Sequence, residues 1–98
     1  MILMGSDRVP HLMGTYVLEN IPRNGRPSYI NDDTGNYMWW DSDNEQWRVF
    51  DLSAGESKIK SDEDVSSPDE VTNWSSWHVW HGWGLDSIES ECSSGKSC

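Results

Sequence analysis

The chain has 98 residues, a formal net charge of −10 and seven tryptophans, which fits one domain whose core must come largely from aromatic side chains. Twelve of its 17 Asp and Glu residues fall between Asp32 and Glu70, where only Arg48, Lys58 and Lys60 oppose them; such a surface repels phosphate backbones and anionic lipid, so nucleic-acid binding is discounted and a protein partner with a basic surface is the expected complement. No apolar run is long enough to span a bilayer and Met1–Met4 is too short for a secretory signal, so the expected location is intracellular, without membrane insertion.

In chain order, residues 1–13 read as an irregular lead-in punctuated by Pro10, before a tryptophan-rich β domain over residues 14–84. Thr15–Glu19 is β-branched and aromatic and predicts a strand. Asn24-Gly25 is a strong hairpin signal, because both residues tolerate positive φ. Arg26–Asn31 would return from it. Asp32-Asp33-Thr34-Gly35 predicts a second turn, Tyr37–Trp40 a third strand, Asp41–Gln46 a polar turn, and Trp47–Leu52 a fourth strand. Residues 53–73 are polar, acidic and serine-rich, and read as a long loop with a short strand near Lys58–Lys60. Trp77-His78-Val79-Trp80 predicts the last strand, closed by Gly82 and Gly84. Residues 85–98 read as a flexible tail, with a helical leaning only at Ser87–Glu91.

No segment shows helical periodicity over about eleven residues. The expected fold class is therefore all-β: a small antiparallel meander of four to five strands, with a long acidic loop and a flexible C-terminal tail. An open sheet of that size leaves two edges and one face uncovered, which is a physical reason to expect a partner. Cys92 and Cys98 both lie near the end of the chain, so a bridge between them would staple nothing in the core. The spacing leaves open whether they pair, and two thiols supply only half a zinc site.

The segment Asn24-Gly25-Arg26-Pro27-Ser28-Tyr29-Ile30, followed by Thr34 and Trp39, resembles a WW domain. That resemblance implies a three-stranded meander in which Tyr29 and Trp39 form a groove for proline-rich peptides. The chain departs from the pattern in three places: the leading Trp has no equivalent, Asp32 stands where a groove His is usual, and Trp40-Asp41-Ser42 replaces the closing Pro. A wider pattern covers Gly14 to Trp80: Gly14-Thr15-Tyr16, Asn24-Gly25-Arg26-Pro27-x-Tyr29, Tyr37-x-Trp39-Trp40, Trp47-x-Val49, Gly55, Ser67-Pro68 and Trp77-x-Val79-Trp80. It resembles one copy of a tryptophan-rich β-repeat module of large eukaryotic multidomain proteins. It covers the acidic loop and the last strand, which a WW domain does not. It implies a blade-like interaction or structural unit with no catalytic residue set.

Asp41-Ser42-Asp43-Asn44-Glu45 has the start of a calcium loop, but Gln46 and Leu52 stand where Gly and the closing carboxylate are needed, so a solvated turn is expected. His78 and His81 would face opposite ways on a strand. No phosphate loop, nucleophile elbow or Cys–His pair is present, so neither a catalytic residue nor a cofactor nor a metal ligand is assigned. Asn73-Trp74-Ser75 fits the glycosylation sequon, and Ser61-Asp62-Glu63-Asp64 and Ser67-Pro68 fit phosphorylation patterns. Because neighbours on a strand face opposite ways, Trp39 and Trp40 divide between the two faces. The expected contact residues are Tyr29, Tyr37 and Trp39, with Trp47 and Trp77 in the core. The leading expectation is a non-catalytic protein-interaction or structural module, such as a small peripheral subunit of a larger assembly. The alternative is a module that binds proline-rich peptides or carbohydrate through exposed aromatics.

Overall fold

Three turns ten residues apart set the spacing of the central strands. Asn31, Asp41 and Asp51 each place a side-chain Oδ1 on the N–H groups two and three residues ahead: Asp33 and Thr34 at 3.0 and 3.3 Å, Asp43 and Asn44 at 3.1 and 3.4 Å, Ser53 and Ala54 at 3.1 and 3.4 Å. Short Asx side chains favour this local bond. Four residues after each comes a residue in the left-handed region: Gly35 at φ 80°, Glu45 at φ 53° and Gly55 at φ 71°. The hairpin at Asn24-Gly25 is as expected, with φ of 53° and 78° and paired bonds between Arg23 and Arg26 at 3.0 Å.

The computed structural model describes residues 1–92; Cys98 and the rest of the expected tail beyond Cys92 lie outside the described residues. Among the described residues ten strands are formed: β1 (Ile2–Met4), β2 (Gly14–Thr15), β3 (Val17–Leu18), β4 (Tyr29–Ile30), β5 (Tyr37–Asp41), β6 (Gln46–Asp51), β7 (Glu56–Ser61), β8 (Trp74–His78), β9 (Gly82–Asp86) and β10 (Glu89–Glu91). The protein is all-β and antiparallel, as expected, but with ten strands among the described residues where four to five were expected. A seven-stranded sheet runs β3 to β9 in chain order, and a three-stranded sheet has the order β10-β1-β2. The lead-in and the start of the tail supply strands, where an irregular segment and a flexible one were expected. Strands of two or three residues are too short to show an alternation in the sequence.

The two sheets are not independent. β2 and β3 are separated only by Tyr16, and β9 and β10 only by Ser87 and Ile88. Thus β1, which pairs with both β2 and β10, joins the continuation of the first strand of the meander to that of the last. Bends of this kind are how strands pass from one sheet to another. The ladder closes round the molecule, and the two bare edges expected of an open meander are drawn together. Gly5, at φ 97°, makes the approach possible: a Cβ there would lie 2.4 Å from the Ser87 carbonyl oxygen.

Closure defines an inside. Met38 and Trp40 of β5, Trp47 and Val49 of β6, Ile59 of β7 and Trp74 of β8 point inward and are buried with Leu3, Leu12, Tyr16 and Ile88. The Tyr16 hydroxyl donates to the Leu12 carbonyl at 2.7 Å, and burial pushes its phenol well above the ordinary tyrosine range. The acidic segment after β7 folds back over this core. Arg26 lies 3.8 Å above the Trp40 ring, donates to the Val65 carbonyl at 2.9 Å and pairs with Asp64 at 2.7 Å. The Trp47 indole N–H donates to the same carbonyl at 2.9 Å. Glu63 accepts from the Asn73 N–H at 2.7 Å, closing the loop before β8. No helix among the described residues is long and apolar enough to cross a membrane.

Because β1 closes the ladder, its central side chain should matter as a core residue does. Leu3, 1% exposed, is expected to cost about 2–5 kcal/mol when changed to Ala, whereas Leu85→Ala at an exposed position should cost less than about 0.5 kcal/mol. Urea denaturation of the two variants checks this contrast.

Candidate functional site

The outward positions of the seven-stranded sheet form the candidate site, and cross-strand register sorts them into rows. In the first row Tyr37 faces Phe50 and Phe50 faces Ser57; farther across, Trp77 faces Trp83. In the second row Trp39 faces Arg48, Arg48 faces Lys60, Lys60 faces Ser75 and Ser75 faces Leu85. In the third Asp41 faces Gln46, whose amide donates to Asp62. A bulge between β6 and β7 matches Val49 with Ile59 and Phe50 with Ser57, leaving Lys58 as the extra residue. Bulges re-aim a side chain, and Lys58 reaches toward the Trp77 ring at 5.6 Å.

The rings pack mainly on one another. Tyr37 and Phe50 are stacked, with centroids 4.9 Å apart and planes at 16°; Trp39 is tilted against Tyr37 at 5.3 Å; Trp77 meets Trp83 edge to face at 5.9 Å. Cations cover much of what remains of the ring faces. Arg23 sits 4.6 Å from the Tyr37 centroid and Lys60 4.4 Å from that of Trp83. Ammonium and guanidinium groups are drawn to the negative face of an aromatic ring. Arg48 pairs with Asp41 at 3.1 Å and donates to Ser57 and Gln46 at 2.7 Å. Lys58 pairs with Glu56 at 2.6 Å.

Tyr37 and Trp39, two of the three expected contact residues, lie together on this half-buried face. Tyr29 does not: it is 1% exposed, because it lies opposite the inward Met38 and shares its parity. Its hydroxyl has no hydrogen-bond partner among the described residues, and burial, with Asp69 nearby, pushes its pKa up to about 12. Trp47 is in the core as expected, but Trp77 is not. Trp74 takes the inward position on β8, which turns Trp77 outward at 37% exposure. The expected last strand through Trp80 ends at His78; a turn follows, and Trp80 stands at its tip, 83% exposed.

That turn corrects a second expectation. His78 and His81 do not diverge; their rings stack at 4.8 Å with planes at 25°. The Trp80 N–H donates to His78 Nδ1 at 3.2 Å, which leaves the ring proton of a neutral imidazole on Nε2. Neither nitrogen of His78 then offers a free lone pair to a metal. Among the described residues no group of three or more His, Cys, Asp or Glu is placed to hold a metal ion. The Asp41 segment is a hairpin turn. Ser67 is buried and donates to Asp69, an unfavourable setting for modification.

Comparison with family models, with curated proteins and with solved structures finds no match for this chain. The site must therefore be judged on its own chemistry.

Asp41, Asp51 and Glu63 are held below the ordinary carboxylate range. The Asn44 side-chain bond holds Asp41 down. Burial opposes the charge on Asp51, but bonds from Ser53 and His11 outweigh it. Burial likewise opposes Glu63, and bonds from Asn73 and Thr72 outweigh it. Each is a structural anion spent on a turn or loop. An open depression of about 520 Å³ beside Arg26, Pro27, Asp64 and Ser66 contains none of the three.

An unpaired buried hydroxyl costs about 1–3 kcal/mol relative to a satisfied one. Tyr29→Phe is therefore expected to leave stability unchanged or raise it by about 1 kcal/mol, read from the shift in denaturation midpoint. A loss of more than about 1 kcal/mol would mean that the hydroxyl is bonded in solution.

Proposed function

We propose that the protein is a non-catalytic interaction module that binds a protein partner through the outer face of its seven-stranded sheet. The observation that carries this reading is the group of aromatic and aliphatic side chains on the outer face, half-buried at Trp39 and Tyr37 and exposed at Trp77 and Leu85, the last 71% exposed, on a fold whose inner face and acidic loop are already engaged with each other. Large apolar side chains left outside a closed core and set among polar ones mark a recognition surface. The displaced carboxyls support the non-catalytic reading, because all three are held ionised by turn and loop contacts, whereas a general acid near neutral pH needs a raised pKa. The resemblance to a tryptophan-rich repeat unit points the same way, and a small peripheral subunit of a larger assembly is the form this role would take.

Binding of proline or sugar rings has weaker support. Such ligands stack on open ring faces, and here Tyr37 is flanked by Phe50 and Arg23, while Trp83 is capped by Lys60.

The native mass of the protein in a gentle lysate of its source cells tests the proposal. The chain should run with a larger complex, and Trp39→Ala and Leu85→Glu, at opposite ends of the second row, should return it toward its own 11.2 kDa without loss of cooperative unfolding. A wild-type chain that runs at its own mass would contradict it.

A further inference from the structure

Residues 71–85 carry no Asp, Glu, Lys or Arg, and this is the longest uncharged run in the chain. At the overall charged fraction of 24% a run of that length would hold three or four. It also holds four of the seven tryptophans, Trp74, Trp77, Trp80 and Trp83. The run forms the β8–β9 hairpin, in which Trp77 faces Trp83 and His78 faces Gly82. Trp74 is spent on the core, but the turn is bare: Val79 is 74% exposed and Trp80 83%. Among the described residues no second ring and no cation lies against the Trp80 indole, in contrast to Tyr37, Trp77 and Trp83.

The backbone of the turn is prepared for a dry setting. The Trp80 N–H donates to His78 Nδ1 at 3.2 Å and the His81 N–H to the His78 carbonyl at 3.1 Å. A turn that stays in water has its donors hydrated. One that leaves water must satisfy them internally, because an unmade bond in an apolar medium is costly. Tryptophan is the side chain suited to the boundary between lipid and water, with an apolar ring body and an N–H that can donate to the headgroup layer. The uncharged surface is not confined to one knob. It continues down both strands to Trp77 and Leu85, exposed at 37% and 71%. Such a spread fits a continuous medium better than a pocket sized for one ring.

We propose that the β8–β9 turn docks on the surface of a neutral, phosphocholine-rich membrane, with Val79 and Trp80 entering its interfacial layer. Net charge selects the lipid. A chain carrying −10 is repelled by an anionic leaflet, whereas a zwitterionic surface carries no such field and the uncharged turn brings no ion into it. The contact is peripheral and weak. A single myristoyl chain binds a membrane with a constant of only about 10⁴ M⁻¹, and two side chains bury less, so half-binding is expected at about millimolar lipid. The proposal stands apart from the interaction-module reading, because it uses the end of one hairpin and leaves Trp39 and Tyr37 free.

The test is sedimentation of the full chain with sucrose-loaded phosphatidylcholine vesicles, with phosphatidylglycerol vesicles as comparator. The chain should sediment with phosphatidylcholine at about millimolar lipid, and less with phosphatidylglycerol at low ionic strength. Trp80→Glu and Val79→Glu should each weaken binding at least about tenfold, the cost of placing a charge in the interfacial layer. Ile21→Glu, at a position 77% exposed elsewhere on the surface, should leave binding unchanged. Unfolding midpoints confirm that the variants are folded. Vesicles of brominated phosphatidylcholine should quench part of the tryptophan fluorescence, and Trp80→Phe should remove that quenching while still binding. The proposal is overturned if the chain stays in the supernatant at several millimolar phosphatidylcholine. It is also overturned if both turn variants bind as the wild type does, or if Ile21→Glu weakens binding as much as they do. If vesicles do not bind but Trp80→Glu releases the native chain from its complex in a lysate, the turn fills a protein pocket; the membrane proposal falls while the interaction module stands.

Discussion

Leu3 sits in the middle strand of a three-stranded sheet, and the pairing of that strand with β2 on one side and β10 on the other is the contact on which the rest of the molecule depends. Without it the chain is a seven-stranded ribbon with two bare edges and two wet faces. With it the inward side chains of β5 to β8 acquire a lid, Tyr16 becomes the corner between β2 and β3, and Ile88 the corner between β9 and β10. A ladder closed in this way has less exposed edge to pair with other chains. The reason to expect a partner therefore moves from the edges of the sheet to its outer face.

The outer face shows how an aromatic surface stays compatible with water. Ring faces left open on a sheet would favour association with almost any apolar surface. Here the Lys60 ammonium lies over the Trp83 ring and the Arg23 guanidinium over the Tyr37 ring. The acidic residues serve elsewhere: Asp41 and Asp51 anchor turns, Glu63 anchors the loop before β8, and Asp64 holds Arg26 over the core. Carboxylates thus fix turns and the loop, while Arg23, Arg48, Lys58 and Lys60 lie among the outer rings, the first three paired with Glu19, Asp41 and Glu56.

Much of the central meander is legible in the sequence, because its signals are strong and local. Asn24-Gly25 makes the hairpin, residues 37–40 lie in β5 and 47–51 in β6, Lys58–Lys60 lies in β7, and Trp47 is buried. The strands of two or three residues are not legible: Ile2–Met4 and Glu89–Glu91 owe their conformation to each other, eighty-odd residues apart, and no window of sequence contains both. Parity divides residues into two faces without saying which is inside. How the faces of different strands match depends on register, and Tyr29, opposite the inward Met38, and Trp77, out of step with the inward Trp74, therefore lie on the other side from the one expected, while Tyr37 and Trp39 lie on the outer face. One signal was present and overlooked. Asn31, Asp41 and Asp51, followed four residues later by Gly35, Glu45 and Gly55, form a ten-residue repeat that marks three successive turns, with Glu45 holding a conformation that glycine adopts more easily. The position of the cations over the rings depends on register and on the bulge at Lys58, and neither can be read from composition.

The central claim is that β1 is an integral strand closing the ladder, which leaves the outer face as the surface available to a partner. Native-state hydrogen exchange of the backbone amides of Ile2–Met4 tests it most directly. If the claim holds, amides of β1 that are bonded to β2 and β10 exchange only through the opening that also exposes β5 and β6, with protection of the same order. If Ile2–Met4 exchanges at the rate of a free peptide while β5 and β6 remain protected, the ladder is open, the inner face of the small sheet is accessible, and the assignment of the outer face as the recognition surface loses its basis.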